Sequence, residues 1–152
     1  MAAENESEGG QATDEAAHSR QVALLQEGLD AYNRGDLGWV YEHSAEDIEV
    51  RTAAGLVNSG SFRGRGRFRT WMEEWQEAWS AMTIVIRNVE VFDDEILLVE
   101  VVQTGIGSIS GIATKMEMVQ VLQITGGEIA RFHLYPHREL ALAAVERMRA
   151  SE

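Results

Sequence analysis

Residues 60–80, read Gly-Ser-Phe-Arg-Gly-Arg-Gly-Arg-Phe-Arg-Thr-Trp-Met-Glu-Glu-Trp-Gln-Glu-Ala-Trp-Ser, constrain this chain more than any other stretch. Gly64 and Gly66 interrupt the backbone. After them Phe68, Trp71, Met72, Trp75 and Trp79 recur at three- and four-residue steps between Arg, Glu and Gln. That spacing predicts an amphipathic helix with one large aromatic face. Four long strands are expected after it, so the aromatic face has a sheet to pack against, with a cavity between the two layers.

The elements before the tryptophan helix follow the same logic. Val22, Leu25, Leu29 and Tyr32, with Leu24 alongside, hold helical spacing until Asn33-Arg34-Gly35-Asp36, where Gly35 ends the helix. Asp36 is placed to cap a short second helix over 37–43, with Leu37, Val40 and Tyr41 turned inward. Residues 47–52 alternate Ile48, Val50 and Thr52 with Glu49 and Arg51 and read as a half-buried strand. Residues 53–60 read as a small-residue loop.

Beyond the tryptophans, 83–92, 95–104, 112–125 and 128–135 are rich in Val, Ile and Leu and read as strands. Asp93-Asp94 and Gly126-Gly127 between them are hairpin-turn chemistry. Gly105, Gly107 and Gly111 predict a bulged or mobile loop. Pro136 stops the last strand, and 138–149 form a final helix presenting Ala141, Ala144, Val145 and Met148 on one side. The order predicts an α+β fold with helices on one face of a twisted antiparallel sheet.

The length of 152 residues suits one domain able to bury a core unaided. Residues 1–18 carry Glu4, Glu6, Glu8, Asp14 and Glu15 with almost no large apolar residue. They are expected to be a disordered acidic leader, and 19–152 the single domain. With no cysteine, thiolate chemistry and disulfides are excluded. A formal charge of −12 argues against nucleic acid and anionic membranes as partners. No apolar run reaches the roughly 20 residues of a membrane-spanning helix, so a cytoplasmic protein is expected.

Several pieces, in order, resemble the SnoaL-like branch of the nuclear transport factor 2-like (cystatin-like) superfamily: Tyr32-Asn33-Arg34-Gly35-Asp36, Phe62-Arg63-Gly64, Asp93 opening a strand, and Gly107-Ser108-Ile109-Ser110-Gly111. Gly126-Gly127-Glu128-Ile129-Ala130-Arg131-Phe132-His133-Leu134-Tyr135 and Arg138-Glu139-Leu140-Ala141-Leu142-Ala143-Ala144-Val145 follow. The resemblance covers about residues 21–148. It implies a curved antiparallel sheet wrapped around helices to form a cone-shaped pocket, and a homodimer through the outer sheet face. Members include polyketide cyclases, ketosteroid isomerases, limonene epoxide hydrolases and dehydratases, and the fold does not choose among them.

The acid–base residues of such relatives do not carry over. The catalytic aspartate of the last strand corresponds to Leu134. The Arg and Asp of epoxide hydrolases correspond to Val101 and Gln103, and the isomerase base to Thr52. Parity turns Val101 and Gln103, and Val50 and Thr52, inward; on the last strand Phe132 and Leu134 share one face and His133 takes the other, so His133 faces outward if Phe132 and Leu134 line the cavity. The expected pocket is therefore largely apolar, lined by Tyr41, Thr52, Trp71, Trp75, Trp79, Val101, Gln103, Phe132 and Leu134, with the tryptophans either stacking on a ligand or serving as core.

Tyr32, His43 and Gln103 are the remaining groups for polarising a carbonyl, Tyr32 because isomerase-like relatives place an oxyanion donor on the first helix. Neither the four histidines nor the arginines of 63–69 have the spacing of a metal site or phosphate loop, so no metal and no cofactor are expected. Three functions stay open: a binder of a small, largely apolar organic molecule; an isomerase, polyketide cyclase or dehydratase working by proton transfer on a carbonyl compound; and a non-catalytic interaction domain.

Overall fold

A computed structural model describes residues 2–53 and 59–151. The elements run α1 (Ala2–Asn33), α2 (Leu37–Glu42), β1 (Ser44–Thr52), β2 (Gly60–Arg63), α3 (Arg65–Glu77), β3 (Trp79–Phe92), β4 (Ile96–Gly107), β5 (Ala113–Thr125), β6 (Glu128–Tyr135) and α4 (Arg138–Ala150). The strands form one open sheet in the order β2-β1-β6-β5-β4-β3.

Local chemistry explains most boundaries. Asn33 ends α1 with Gly35 at φ 81°, and the Asp36 side chain accepts from the Trp39 N–H to open α2. Asp93 and Asp94 (φ 51° and 62°) and Gly126 and Gly127 (φ 59° and 81°) take the left-handed conformations that two-residue hairpin turns require. The side chain of Asn33 donates to the Ile84 carbonyl and accepts from the Ile84 N–H, both at 2.9 Å, which straps the end of α1 to β3.

The fold is α+β as expected, with four differences from the sequence reading. First, the sheet is mixed, because β1 pairs parallel to β6 while every other pair is antiparallel. Second, α3 ends at Glu77 and Trp79 opens β3, although its spacing from Trp75 continues the helical pattern. Third, the expected loop over 53–60 lies mostly outside the described residues, and Gly60 already belongs to β2, a four-residue strand too short for alternation to reveal. Fourth, α1 begins at Ala2, so the backbone is helical where the leader was expected to be without structure. Ala, Glu and Gln there are good helix formers, and extending a helix already packed over Leu25 and Leu29 needs no new nucleus.

The two faces of the sheet carry separate cores. Leu97, Val99 and Val101 of β4 and Met118 and Leu122 of β5 meet Leu25, Leu29, Val40, Phe68 and Trp75 of the first three helices. The alternate residues Ile96, Leu98, Val119 and Val121 meet Ala141, Ala144, Val145 and Met148 of α4. The helices therefore do not all lie on one face, because α4 covers part of the outer face. Residues 96–99 of β4 and 118–122 of β5 are buried in succession, as in strands covered on both sides. Val85 and Ile106 remain exposed on the outer face beyond α4. Among the described residues no helix is long and apolar enough to cross a membrane.

Candidate ligand cavity

Between the inner sheet face and the first three helices lies a cavity of about 80 Å³. A water needs roughly 10–15 Å³ by this kind of measure, so the space admits several water-sized groups. Strands β4, β5 and β6 supply Gln103, Met118, Gln120, Leu122, Phe132 and Leu134. Opposite them, α1 contributes a stripe at four-residue steps, Leu24, Gly28 and Tyr32, which is partly exposed and forms a rim with Trp39 of α2.

The aromatic face of α3 makes one wall. Trp71 and Trp75 stack with centroids 5.3 Å apart, and Phe132 of β6 closes on Phe68 at 5.1 Å and on Trp71 at 6.0 Å. These contacts show that the tryptophans are core and cavity wall at once. Each such ring contributes about 1.5–3 kcal/mol by burial alone.

Few polar groups interrupt this surface. The Trp75 indole Nε1–H donates to Gln103 Oε1 at 2.8 Å in a buried bond. Gln103 is 2 % exposed, and its Nε2 has no partner among the described residues. Gln120, 6 % exposed, lies at the same inward parity, opposite Val99 and Leu134, and its amide also has no side-chain partner there. The Tyr32 phenol is the third such group, and burial pushes its pKa well above the ordinary value, so at neutral pH it is a donor and not a base. Among the described residues lining the cavity there is no carboxylate, imidazole, lysine or arginine.

Of the sequence candidates, Tyr32, Trp71, Trp75, Gln103, Phe132 and Leu134 line this space, and five others do not. Val101 is packed in the core. Thr52 is buried on the inner face with its Oγ1 unpartnered, but away from the cavity. Trp79 packs near Gly105 at the start of β3. Tyr41 lies under Arg65 and Arg69, whose guanidinium carbons are 4.6 and 5.7 Å from its ring centroid. His43 stacks on the Trp39 ring at 3.8 Å, its Nδ1–H donating to the Trp39 carbonyl at 2.8 Å. It supports the rim from behind.

Trp39 and Gln120 escaped the sequence reading. Trp39 is held by an Nε1–H bond to Glu27 (3.0 Å) and sits so close over Gly28 that a Cβ there would be 2.6 Å from Cζ3. The alternation of Met118, Gln120 and Leu122 was a readable signal for Gln120; none marked Trp39.

The arginines around Gly64 are dispersed. Arg63 pairs with Glu49 (3.0 Å) and Arg69 with Glu73 (3.3 Å), while Arg67 lies over Phe62. His133 faces away from the cavity, because Phe132 and Leu134, at the other parity, line it. It is 5 % exposed, with Nε2 2.9 Å from Glu49 Oε2 and Nδ1 3.1 Å from the Tyr135 hydroxyl. Burial lowers its pKa against the raising effect of Glu49, with Arg51 and Arg131 lowering it further, so it is neutral at neutral pH. Nε2–H then donates to Glu49, and Nδ1 accepts from Tyr135. Burial works against ionisation of Glu49, but the hydrogen bond from His133, with the charges of Arg131 and Arg63, holds its carboxyl below the ordinary value. His137 is an exposed residue at the N-cap of α4.

A family model described as a SnoaL-like domain matches residues 25–132. No curated protein matches the chain. Solved structures share the fold at low identity. One is a hypothetical protein with a ketosteroid isomerase-like fold from Catenulispora acidiphila, in complex with trimethylamine (16 % identity, TM-score 0.66, 79 % of this chain and 89 % of that one). Another is SalBIII, an epoxide hydrolase/cyclase-like enzyme of pyran ring formation in the polyether salinomycin (17 %, 0.68, 80 % and 93 %). A third is a candidate polyketide cyclase from Xanthomonas campestris (19 %, 0.66, 84 % and 97 %). At these identities the likeness concerns the fold.

Proposed function

The chain belongs to the SnoaL-like domain family, and from that premise and the cavity's chemistry we propose that it binds a small, uncharged, largely apolar organic molecule there. One observation carries the reading: three hydrogen-bonding groups, Tyr32, Gln103 and Gln120, line an otherwise apolar cavity and have no side-chain partner for their free donors. A ligand with a carbonyl or ether oxygen accepts from these donors, while its body packs on Trp71, Trp75 and Phe132. A charged ligand finds no counter-ion.

A second reading is favoured by Tyr32. A phenol kept protonated in an apolar cavity suits stabilisation of a developing oxyanion, as in proton transfer or ring closure on a carbonyl compound. SalBIII and the Xanthomonas protein make cyclisation the form to try first. The base would then come from substrate or water. A cavity of this kind counts against a purely structural interaction domain. Dimerisation is proposed through the strip of Val85 and Ile106 that α4 leaves uncovered, and light scattering of Val85→Glu against the parent chain tests it.

Native mass spectrometry of freshly purified protein tests the binding reading. A retained neutral adduct, lost in Gln103→Leu, is expected. An adduct that persists unchanged in Gln103→Leu and in Trp71→Ala would place the ligand elsewhere.

A further inference from the structure

The outer face of β2, β1 and β6 carries a cluster that the cavity does not use. Strand register sets it out in rows. Arg63, Glu49 and Arg131 stand side by side, and Ser61, Arg51 and His133 form the next row of the same face. Tyr135 follows on β6, and α4 brings Arg147, whose Nη2 is 3.5 Å from the Tyr135 hydroxyl. Phe132 and Leu134 line the cavity, so Arg131, His133 and Tyr135 point through the opposite side of the sheet.

The charge balance of this patch is the reverse of the chain's. Overall there are 25 acidic side chains for 13 basic ones. Here four arginines, Arg51, Arg63 and Arg131 of these rows and Arg147 of the adjoining α4, stand with one carboxylate, Glu49, an excess of three positive charges among these residues when His133 is neutral. Glu49 is already engaged by Arg63 (3.0 Å), Arg131 (3.7 Å) and His133 (2.9 Å). That leaves Arg51 and Arg147 with no carboxylate partner among the described residues, and both act electrostatically on the same phenol, Tyr135. Both side chains are exposed, so their guanidiniums are accessible to an anion from solvent.

The geometry points to an oxyanion site at Arg51 and Arg147, flanked by Ser61, that takes the phosphate group of a small phosphate-bearing molecule. A phosphate dianion offers only acceptors, which matches two guanidinium forks and a hydroxyl and matches no neutral ligand. His133 and Tyr135 act beneath it as positioning residues. Their hydrogen-bond chain to Glu49 fixes that carboxylate against Arg63 and Arg131 and so keeps it from pairing with Arg51. The site lies across the sheet from the cavity, so it stands or falls independently of the ligand proposed there.

The test is two-dimensional NMR titration of the full chain with inorganic phosphate, phenyl phosphate and chloride at constant ionic strength, at pH 7.5. Saturable shifts at Arg51, Ser61 and Arg147 are expected, with phosphate binding at least about tenfold tighter than chloride. Arg51→Gln should weaken it by about tenfold or more. Arg20→Gln, at an exposed arginine elsewhere, should leave it unchanged. Phenyl phosphate binding at least as well as phosphate assigns the site to an ester, and phosphate binding better assigns it to the free ion; both support the site. Arg51→Gln removes an exposed side chain with no hydrogen bond, so a folded variant is expected, verified from its spectrum. Phosphate binding no better than chloride, or unaltered by both Arg51→Gln and Arg147→Gln, overturns the assignment.

Discussion

Trp75→Phe isolates the buried contact between Trp75 and Gln103 in the cavity wall. The change removes the indole N–H and leaves Gln103 Oε1, in a residue 2 % exposed, without its 2.8 Å donor. An acceptor stranded there costs about 1–3 kcal/mol. The smaller ring adds about 1 kcal/mol, because a wall held by Trp71 and Phe132 closes only partly over lost volume. The single variant should lose about 2–4 kcal/mol. Gln103→Leu strands the indole instead and should lose a similar amount. The double variant removes both ends of the bond, so its loss should fall short of the sum by about 1–2 kcal/mol. Urea unfolding of the four proteins measures this cycle, provided the slope with denaturant is unchanged. Strict additivity would refute the view that these two side chains form a coupled pair.

Other outcomes follow from the same geometry. Gly28→Ala places a Cβ 2.6 Å from Trp39 Cζ3, so it should displace that ring and cost about 1–3 kcal/mol, seen as a lower unfolding midpoint and an altered Trp39 indole resonance. Asp36→Ala removes the cap of α2 and should cost about 0.5–2 kcal/mol by urea unfolding, with an unchanged midpoint arguing against the cap. Stability should fall as pH drops below 6.5. The unfolded chain protonates its histidine there while folded His133, whose pKa is depressed, stays neutral. Below 4.5 Glu49 adds a second loss, complete once pH passes through its depressed folded value. His133→Gln should flatten the first limb and keep the second. An unchanged first limb would place the titration at another group.

The parts of this fold written in local periodicity were legible in the sequence. Alternation separated Phe132 and Leu134 from His133, and the spacing of Phe68, Trp71 and Trp75 placed an aromatic wall on a helix. What depended on partners distant in sequence was not legible. The parallel pairing of β1 with β6 joins residues more than eighty apart, and nothing local distinguishes it from an antiparallel pair. Trp79 keeps helical spacing from Trp75 because side-chain pattern does not record where the backbone turns, and α3 stops two residues earlier. His43 reads as a rim acid–base group, yet stacking on Trp39 gives it a packing role. The double-sided burial of β4 and β5 was only partly readable, in short apolar stretches such as Ile96–Val99 that Glu100 and, in β5, Gln120 and Gln123 interrupt, and the place of α4 was not.

The central claim is that the cavity selects an uncharged oxygen-bearing molecule, and acetophenone against benzoate tests it most directly. The two are similar in shape and differ in charge. Followed through the Trp75 indole N–H resonance, acetophenone should shift it saturably. Benzoate should bind at least about tenfold more weakly, a difference of about 1.4 kcal/mol or more, because no cation is among the described residues that line the cavity. Benzoate binding as well as acetophenone, or neither perturbing the Trp75 resonance, would contradict the account.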